Sequence, residues 1–502
     1  MNDVTFVYGQ GGLGAPLSGE DFISGIVFYD GTLPSGFTTT NNIKEVLQIS
    51  DAEALGIVNT NVDEMKATGT YLVTATGAAG DTINISVNEP FGLVSLGTYT
   101  RLSTDTTATI LGASIAAFIN SGTATHGYTA TAATGTVTIT ARPGLGVFLN
   151  SGTPIVVTIV GTIAGTLTQF SSGVGSKLAI YHYHISEYFR MQPQGALYVG
   201  FFPVPGTFTG AEVQTIQTFA SGKLRQVGVY YTAVAYASSQ IQALQSVVTT
   251  LEGLHMPLSV IYGADISAVS DLSTLATLQG LNSNDVTLDI GQDGVAVGGA
   301  LYASIKKSIT TLGNLLGCVS LASVSTSIAY VAQFNVDNGT ELDTPAFANG
   351  QLVRNISANL QNQLNTYKYV FLRTFVGNSG TYYNNSHTAT IASSDYAFIE
   401  RNRTIDKAIR QLYIAYLPLL NGPLVLNADG TLDNNTVALY TTTGETALDE
   451  MLSAVELSNR KITVDPTQNV FASGKLFITA TLQPVGVAQG IQVKIGYSTN
   501  IS

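Results

Sequence analysis

Apolar and polar residues alternate strictly through Ile491-Gln492-Val493-Lys494-Ile495-Gly496-Tyr497-Ser498, and Val4, Phe6 and Tyr8 alternate in the same way at the start of the chain. A period of two predicts strands with one buried face. The sequence offers neither run an obvious partner nearby. Chain ends fray unless something ties them down, and a bare strand edge is a template for pairing with another chain. Val4, Phe6, Tyr8, Ile491, Val493, Ile495 and Tyr497 are therefore candidate inter-subunit strand contacts, and the chain reads as one stitched to copies of itself.

Between these ends the pattern changes several times. Residues 1–20 form a Gly-rich N-terminal arm; a strand over 23–29, a helix from Asn42 and a second short helix after Asp51 follow. Over 66–175 charge nearly vanishes. Short β-branched runs at 70–75, 82–87, 137–141 and 155–160 flank one helical stretch at 108–120, which predicts an inserted β-rich module on the outside of an assembly. From 177 onward, apolar runs at 196–203, 226–233, 257–264 and 285–290 alternate with helical segments. The clearest helix is 239–254, where Ile241, Leu244, Val248, Leu251 and Leu254 recur at three- and four-residue spacing. This alternation predicts a central α/β domain with a mainly parallel sheet, built from 21–65 and 176–345 and closed by a long helix over 298–317. Residues 346–485 predict an α+β domain with strands at 369–375 and 475–482 and helices at 405–417 and 445–456, before a C-terminal strand arm at 486–502. The fold class expected is α/β and α+β, multidomain.

Composition narrows the function. Hydrophobic content is an ordinary 45%, but charged residues make up only 11% of the 502, against about 25% in typical soluble domains. So charge-poor a surface fits an exterior covered by neighbours. The net charge of −12 argues against nucleic acid as a partner. The single cysteine, Cys318, excludes an internal disulfide framework and reads as a buried small hydrophobe. The opening residues lack the regions of a secretory signal, and no 18-residue apolar span occurs. The chain is expected to be made and kept in a cytoplasm, with no direct membrane insertion.

Candidate chemistry is sparse. Gly9-Gln10-Gly11-Gly12-Leu13-Gly14 matches a dinucleotide fingerprint, but Pro16, Gly19 and the strand at Ile23 leave no room for the helix that would hold a pyrophosphate. Gly9, Gly11, Gly12 and Gly14 read instead as a hinge between arm and body. His182 and His184 would share one face of a strand, without the acidic or cysteine neighbours of a metal site. The run from Asn427 to Asp433 resembles part of a calcium loop but lacks its closing Glu, and reads as an Asp-Gly turn. No catalytic constellation emerges, so no enzyme activity, cofactor or metal is expected. One cluster stands out: Arg401, Arg403, Lys407 and Arg410 fall within ten residues. On a helix, Arg403, Lys407 and Arg410 lie within about 60° of one another, while Ile405, Ile409, Leu412 and Tyr416 take the opposite, core-facing side. A uniformly basic stripe on an acidic protein predicts an acidic partner surface.

Three features together resemble the contractile tail sheath proteins of bacteriophages and related contractile injection systems. They are the basic segment 401–410 with the following Tyr416-Leu417-Pro418, Asn421-Gly422-Pro423-Leu424 and Asp429-Gly430-Thr431-Leu432; the ending from Lys475 to Leu482 and then 491–498; and the opening through Gly19-Glu20-Asp21-Phe22-Ile23-Ser24-Gly25. The likeness covers roughly 1–65 and 176–502. It implies a C-terminal sheath domain with exchanged terminal strands, stacked in hexameric rings as a helical homo-oligomer around a tail tube protein. Baseplate and tail terminator proteins are the further partners implied, and a virion tail is the location, after assembly in host cytoplasm. It also implies that Arg403, Lys407 and Arg410 face the tube, and that the glycines at 9–14 and Gly486 are hinges for contraction, which drives the tube through a target envelope. A tail tube or capsid decoration protein is the alternative, and an enzyme on the α/β scaffold a more distant one.

Overall fold

A six-stranded sheet organises the computed structural model, which describes residues 21–497. Val4, Phe6, Tyr8, Gly9, Gly11, Gly12 and Gly14 lie outside the described residues. Across the sheet the strands run Val286–Asp289, Ser259–Asp265, Gln226–Ala235, Ile23–Tyr29, Ala196–Phe202 and Ile43–Val46. All neighbours are parallel except the last, which pairs antiparallel at the edge. These strands are apolar almost without interruption because helices cover both faces. Along Ile23–Tyr29 the two-residue period sends Ile26 and Phe28 to one core, and Val27 and Tyr29 to the other. Helices Lys177–Met191 and Leu312–Leu321 close the first face; Ala211–Phe219 and Ser238–Gly253 close the second. The first two helices touch backbone to backbone: a Cβ at Gly313 would sit 2.0 Å from the His184 carbonyl oxygen, so only glycine permits the approach.

Residues 66–175 carry their own core. A four-stranded antiparallel sheet and a three-stranded one enclose helix Ala108–Ser121, with Tyr71, Ile83, Ile115, Ile119 and Val137 among the buried side chains. Met65 and Val174 form an antiparallel bridge at the module's base, with N–H···O distances of 3.0 and 2.8 Å. Beyond it, Asp63 accepts hydrogen bonds from the Lys177 and Leu178 amides and from the Ser176 hydroxyl, fixing the start of the next helix.

Several expectations need correction. The segment after Asn42 is a strand, Ile43–Val46, because pairing with Ala196–Phe202 outweighs its weak helical pattern. The helix expected over 298–317 is two, Val297–Ile305 and Leu312–Leu321. Lys306 adopts a left-handed φ of 54°, and the intervening polar side chains bond elsewhere: the Ser308 hydroxyl reaches the Ala348 carbonyl and that of Thr311 reaches Asp289. The helix expected over 445–456 likewise breaks into Asn434–Ala447 and Asp449–Ser453. Residues 346–389, expected in the C-terminal domain, pack into the α/β body through Phe347, Leu364, Tyr369, Phe371 and Ala389.

His182 and His184 are on a helix, not a strand. His182 pairs with Glu53 at 3.0 Å. His184 is sealed among Phe28, Tyr183 and Tyr230, and among the described residues neither ring nitrogen has a partner. Burial pushes its pKa down to about 3, below the ~6.5 of an unfolded histidine. The unfolded chain therefore binds a proton that the fold refuses. Stability is full above pH ~6.5 and falls as pH drops toward 3. His184→Phe is expected to flatten the fall between pH 7 and pH 4 by about 3 kcal/mol, read from urea midpoints. The comparison separates His184 from Asp289, whose pKa burial raises to about 7 and which acts in the opposite sense. An unchanged slope would mean that the ring is already protonated, or solvated, in the fold.

Candidate assembly interface

The C-terminal part is built around a two-stranded hairpin, Leu457–Val464 with Ile478–Pro484, in which Ile462 faces Ala480 and Val464 faces Ile478. Leu448, Met451, Leu457 and Ile462 pack with Val324 and with Ala408 of the long helix Ile399–Tyr416. Two strands alone are marginal in water, and this helical cover supplies the missing burial. Among the described residues neither outer edge of the hairpin has a partner strand. Among these residues, then, both edges offer backbone N–H and C=O groups that no further strand pairs.

After Pro484 the chain leaves the hairpin. A side chain at Gly486 would meet nothing within 4 Å. Residues 491–497, expected as a strand, have no ladder partner among the described residues. Ile491, Val493 and Ile495 are 84%, 71% and 89% exposed, and Tyr497 is fully exposed. The alternation seen in the sequence is real, but nothing in the described chain buries its apolar side.

The basic stripe has a different setting from the one expected. Arg403 is 3% exposed. Its guanidinium donates to the Ala322 carbonyl at 3.0 Å and the Asp21 carbonyl at 3.2 Å. The Lys407 ammonium sits 2.7 Å from the Asp21 carboxylate and 2.9 Å from Glu456, and Arg410 reaches Asp21 at 3.3 Å. Burial lowers the Arg403 pKa to about 10, against the pull of Asp21. At Lys407 burial also pushes down, but Asp21 and Glu456 prevail and the value rises. The expectation of an unopposed basic face is thus corrected: internal acids from distant parts of the chain occupy it. Asp21, the acid shared by Lys407 and Arg410, is the first described residue and stands two before strand Ile23–Tyr29.

The helix's apolar side is corrected too. Leu412 and Tyr416 do pack against the C-terminal domain. Ile409 and Ile414 are exposed, and Tyr413 stacks on His255 with ring centroids 4.3 Å apart. The helix is wedged against the backbone carbonyls of 322–323 and against Asp21, surfaces that demand donors, so its cations turn inward. A 3.6-residue period separates two faces; it does not say which one is buried. The 427–433 segment is a turn in which Asp429 accepts from Thr431 and Gly430 adopts a φ of 86°, and Asp433 caps the following helix. Among the described residues no group of three His, Cys, Asp or Glu side chains is placed to hold a metal.

Solved structures similar to this chain come from contractile systems. A helical sheath of the anti-feeding prophage in the contracted state is 15% identical, covering 62% of this chain and 81% of that one, with a TM-score of 0.44. A contracted sheath complex of an extracellular contractile injection system (PVC) is 13% identical over 64% and 80%, with a TM-score of 0.42. A sheath tail protein from Listeria innocua is 10% identical over 94% and 97%, with a TM-score of 0.39. No curated protein matches the sequence. Family matches cover both parts of the chain: DUF2586, N-terminal domain, over residues 1–387, and DUF2586, C-terminal domain, over 395–502. The chain belongs to the DUF2586 family.

Proposed function

We propose that the chain is a structural subunit of a contractile tail sheath, of a phage tail or a related injection system, which polymerises through strand exchange at its ends. One observation carries this reading: among the described residues a two-stranded sheet with no partner strand at either edge and an alternating, exposed segment with no ladder partner are present together. The described seven residues of the segment span ~23 Å at ~3.3 Å per residue, close to the eight-residue strand Leu457–Val464. Added to a neighbour's hairpin edge, the segment would satisfy backbone groups on both sides and bury Ile491, Val493, Ile495 and Tyr497. The fuller picture of hexameric rings around a tail tube, ending on a baseplate and a terminator, draws its support from the sequence resemblance.

In this reading Arg403, Lys407 and Arg410 serve the root of the N-terminal arm, and contact with the tube falls to other residues. Gly486 marks the joint at which the C-terminal arm turns toward its neighbour. Negative-stain electron microscopy of the purified full chain is the direct test. Wide hollow cylinders are expected at micromolar concentration. A monodisperse single-subunit particle under all conditions of salt and concentration would overturn the proposal.

A further inference from the structure

The outward side of helix Ile399–Tyr416 forms one wall of a cleft of about 460 Å³, whose other walls are helix Ser238–Gly253 and the 282–285 loop. Three carboxyl groups line it: Glu252, Asp285 and Asp406. Asp285 accepts from the Gln245 amide at 2.8 Å. Asp406 is only 5% exposed, and burial and neighbouring charges, with no hydrogen bond from a described residue, set the state of its carboxyl group. A buried carboxylate without a donor is costly.

One helical turn earlier, on the same face, Asn402 is 1% exposed and also lines the cleft. Its amide nitrogen donates to the Asn284 and Tyr396 carbonyls, and its oxygen has no partner among the described residues. Asp406 and Asn402 thus offer acceptors four residues apart, and among the described residues no side chain donates to the Asn402 oxygen. The charges acting on Asp406 are Arg410 and Arg225 on one side, Asp285 and Glu252 on the other. Arg410 is drawn to Asp21, and Arg225 donates to the Gly222 carbonyl at 2.8 Å. Burial, reinforced by Asp285 and Glu252, wins over the two arginines and holds the Asp406 carboxyl at about 8. Burial raises Asp285 as well, and burial together with Asp285 raises Glu252. All three groups are displaced in the direction that a missing positive charge would produce. Ile405, Ile409 and Pro257 add an apolar wall beside them.

We propose that this cleft binds an alkylguanidinium group, its planar head donating to Asp406 and Asn402 and its aliphatic stem lying along Ile405 and Ile409. A guanidinium has five N–H donors in a fixed fork and no acceptor, which suits a cleft whose available groups are acceptors. The same chemistry is presented by an arginine side chain of a neighbouring subunit and by a free alkylguanidine.

Calorimetric titration of the dispersed full-length subunit with agmatine at pH 7.5 tests the site. Saturable binding with one ligand per subunit is expected, with proton release, since the bound cation favours ionised Asp406; paired buffers of different ionisation enthalpy read that release. Asp406→Asn is expected to weaken binding about tenfold or more and to abolish the proton release. Glu252 is exposed, so Glu252→Gln folds independently of the outcome and is expected to weaken binding severalfold. No saturable heat with the unaltered chain, or unchanged affinity in both variants, would overturn the proposal. Repeating the titration on assembled polymer assigns the source: undiminished binding points to a free cation, and loss of binding to an arginine of a neighbouring copy. Because the first titration needs no polymer, its failure is distinct from failure of the sheath reading.

Discussion

Removal of residues 491–502 is expected to abolish polymerisation and leave the subunit folded. The described part of this segment, 491–497, is solvent-exposed throughout, and among the described residues no backbone hydrogen bond ties it to the body. Among the described residues its loss removes no core contact, and the melting temperature is expected to stay within about 2 °C of the full chain, as for changes away from packed sites. Assembly should respond very differently. Four large side chains would lose burial worth about 1.5–3 kcal/mol each, together with a row of edge hydrogen bonds. Ordering the arm offsets part of that, but a surplus of even 3 kcal/mol shifts a critical concentration by more than about a hundredfold. Sedimentation across a concentration series gives the answer. Cylinders from the truncated chain at normal concentration would eliminate C-terminal strand exchange as the link.

Replacing Arg403 by alanine is expected to have the largest effect on the fold. The guanidinium is buried and donates to carbonyls at both Asp21 and Ala322, so truncation strands several acceptors at once. Removing one partner from a buried charged network costs about 3–5 kcal/mol. The damage should be local. Hydrogen exchange is expected to accelerate in peptides covering 318–324 and 399–410, while the 66–175 module keeps its protection. Exchange unchanged in all three regions would show that the network contributes no stability. Reversing Arg403, Lys407 and Arg410 together to Glu would set three new acids beside Asp21, Glu456 and Asp406. It would break the fold before it could report on any partner.

Parts of this architecture are legible in the sequence for plain physical reasons. A sheet covered on both faces needs unbroken apolar strands, so 196–203, 226–233 and 257–264 stand out. The 239–254 helix shows one clear buried stripe. The change of composition at 66 and 175 marks a unit with its own core. What escaped depends on distant partners. The edge strand Ile43–Val46 exists through a neighbour more than 150 residues away. The break after Ile305 reflects hydroxyls bonded to Asp289 and Ala348. The setting of the basic helix turns on Asp21, 386 residues before Lys407. No local pattern announces that pairing. The alternation at 491–497 was legible as a pattern for the opposite reason, since it is still intact and still uncovered.

The bridge between Met65 and Val174 has an evolutionary corollary. Bridged antiparallel residues stand only ~5 Å apart, so the chain enters and leaves the 66–175 unit side by side, while the unit rests on the body a second time where Lys306 lies 4.7 Å over the Phe148 ring. A domain whose termini converge to that spacing could be grafted there without shifting a strand of the host, provided that it also covers helix Val297–Ile305. The body can then stay constant while its passenger is exchanged, so long as that second contact is rebuilt.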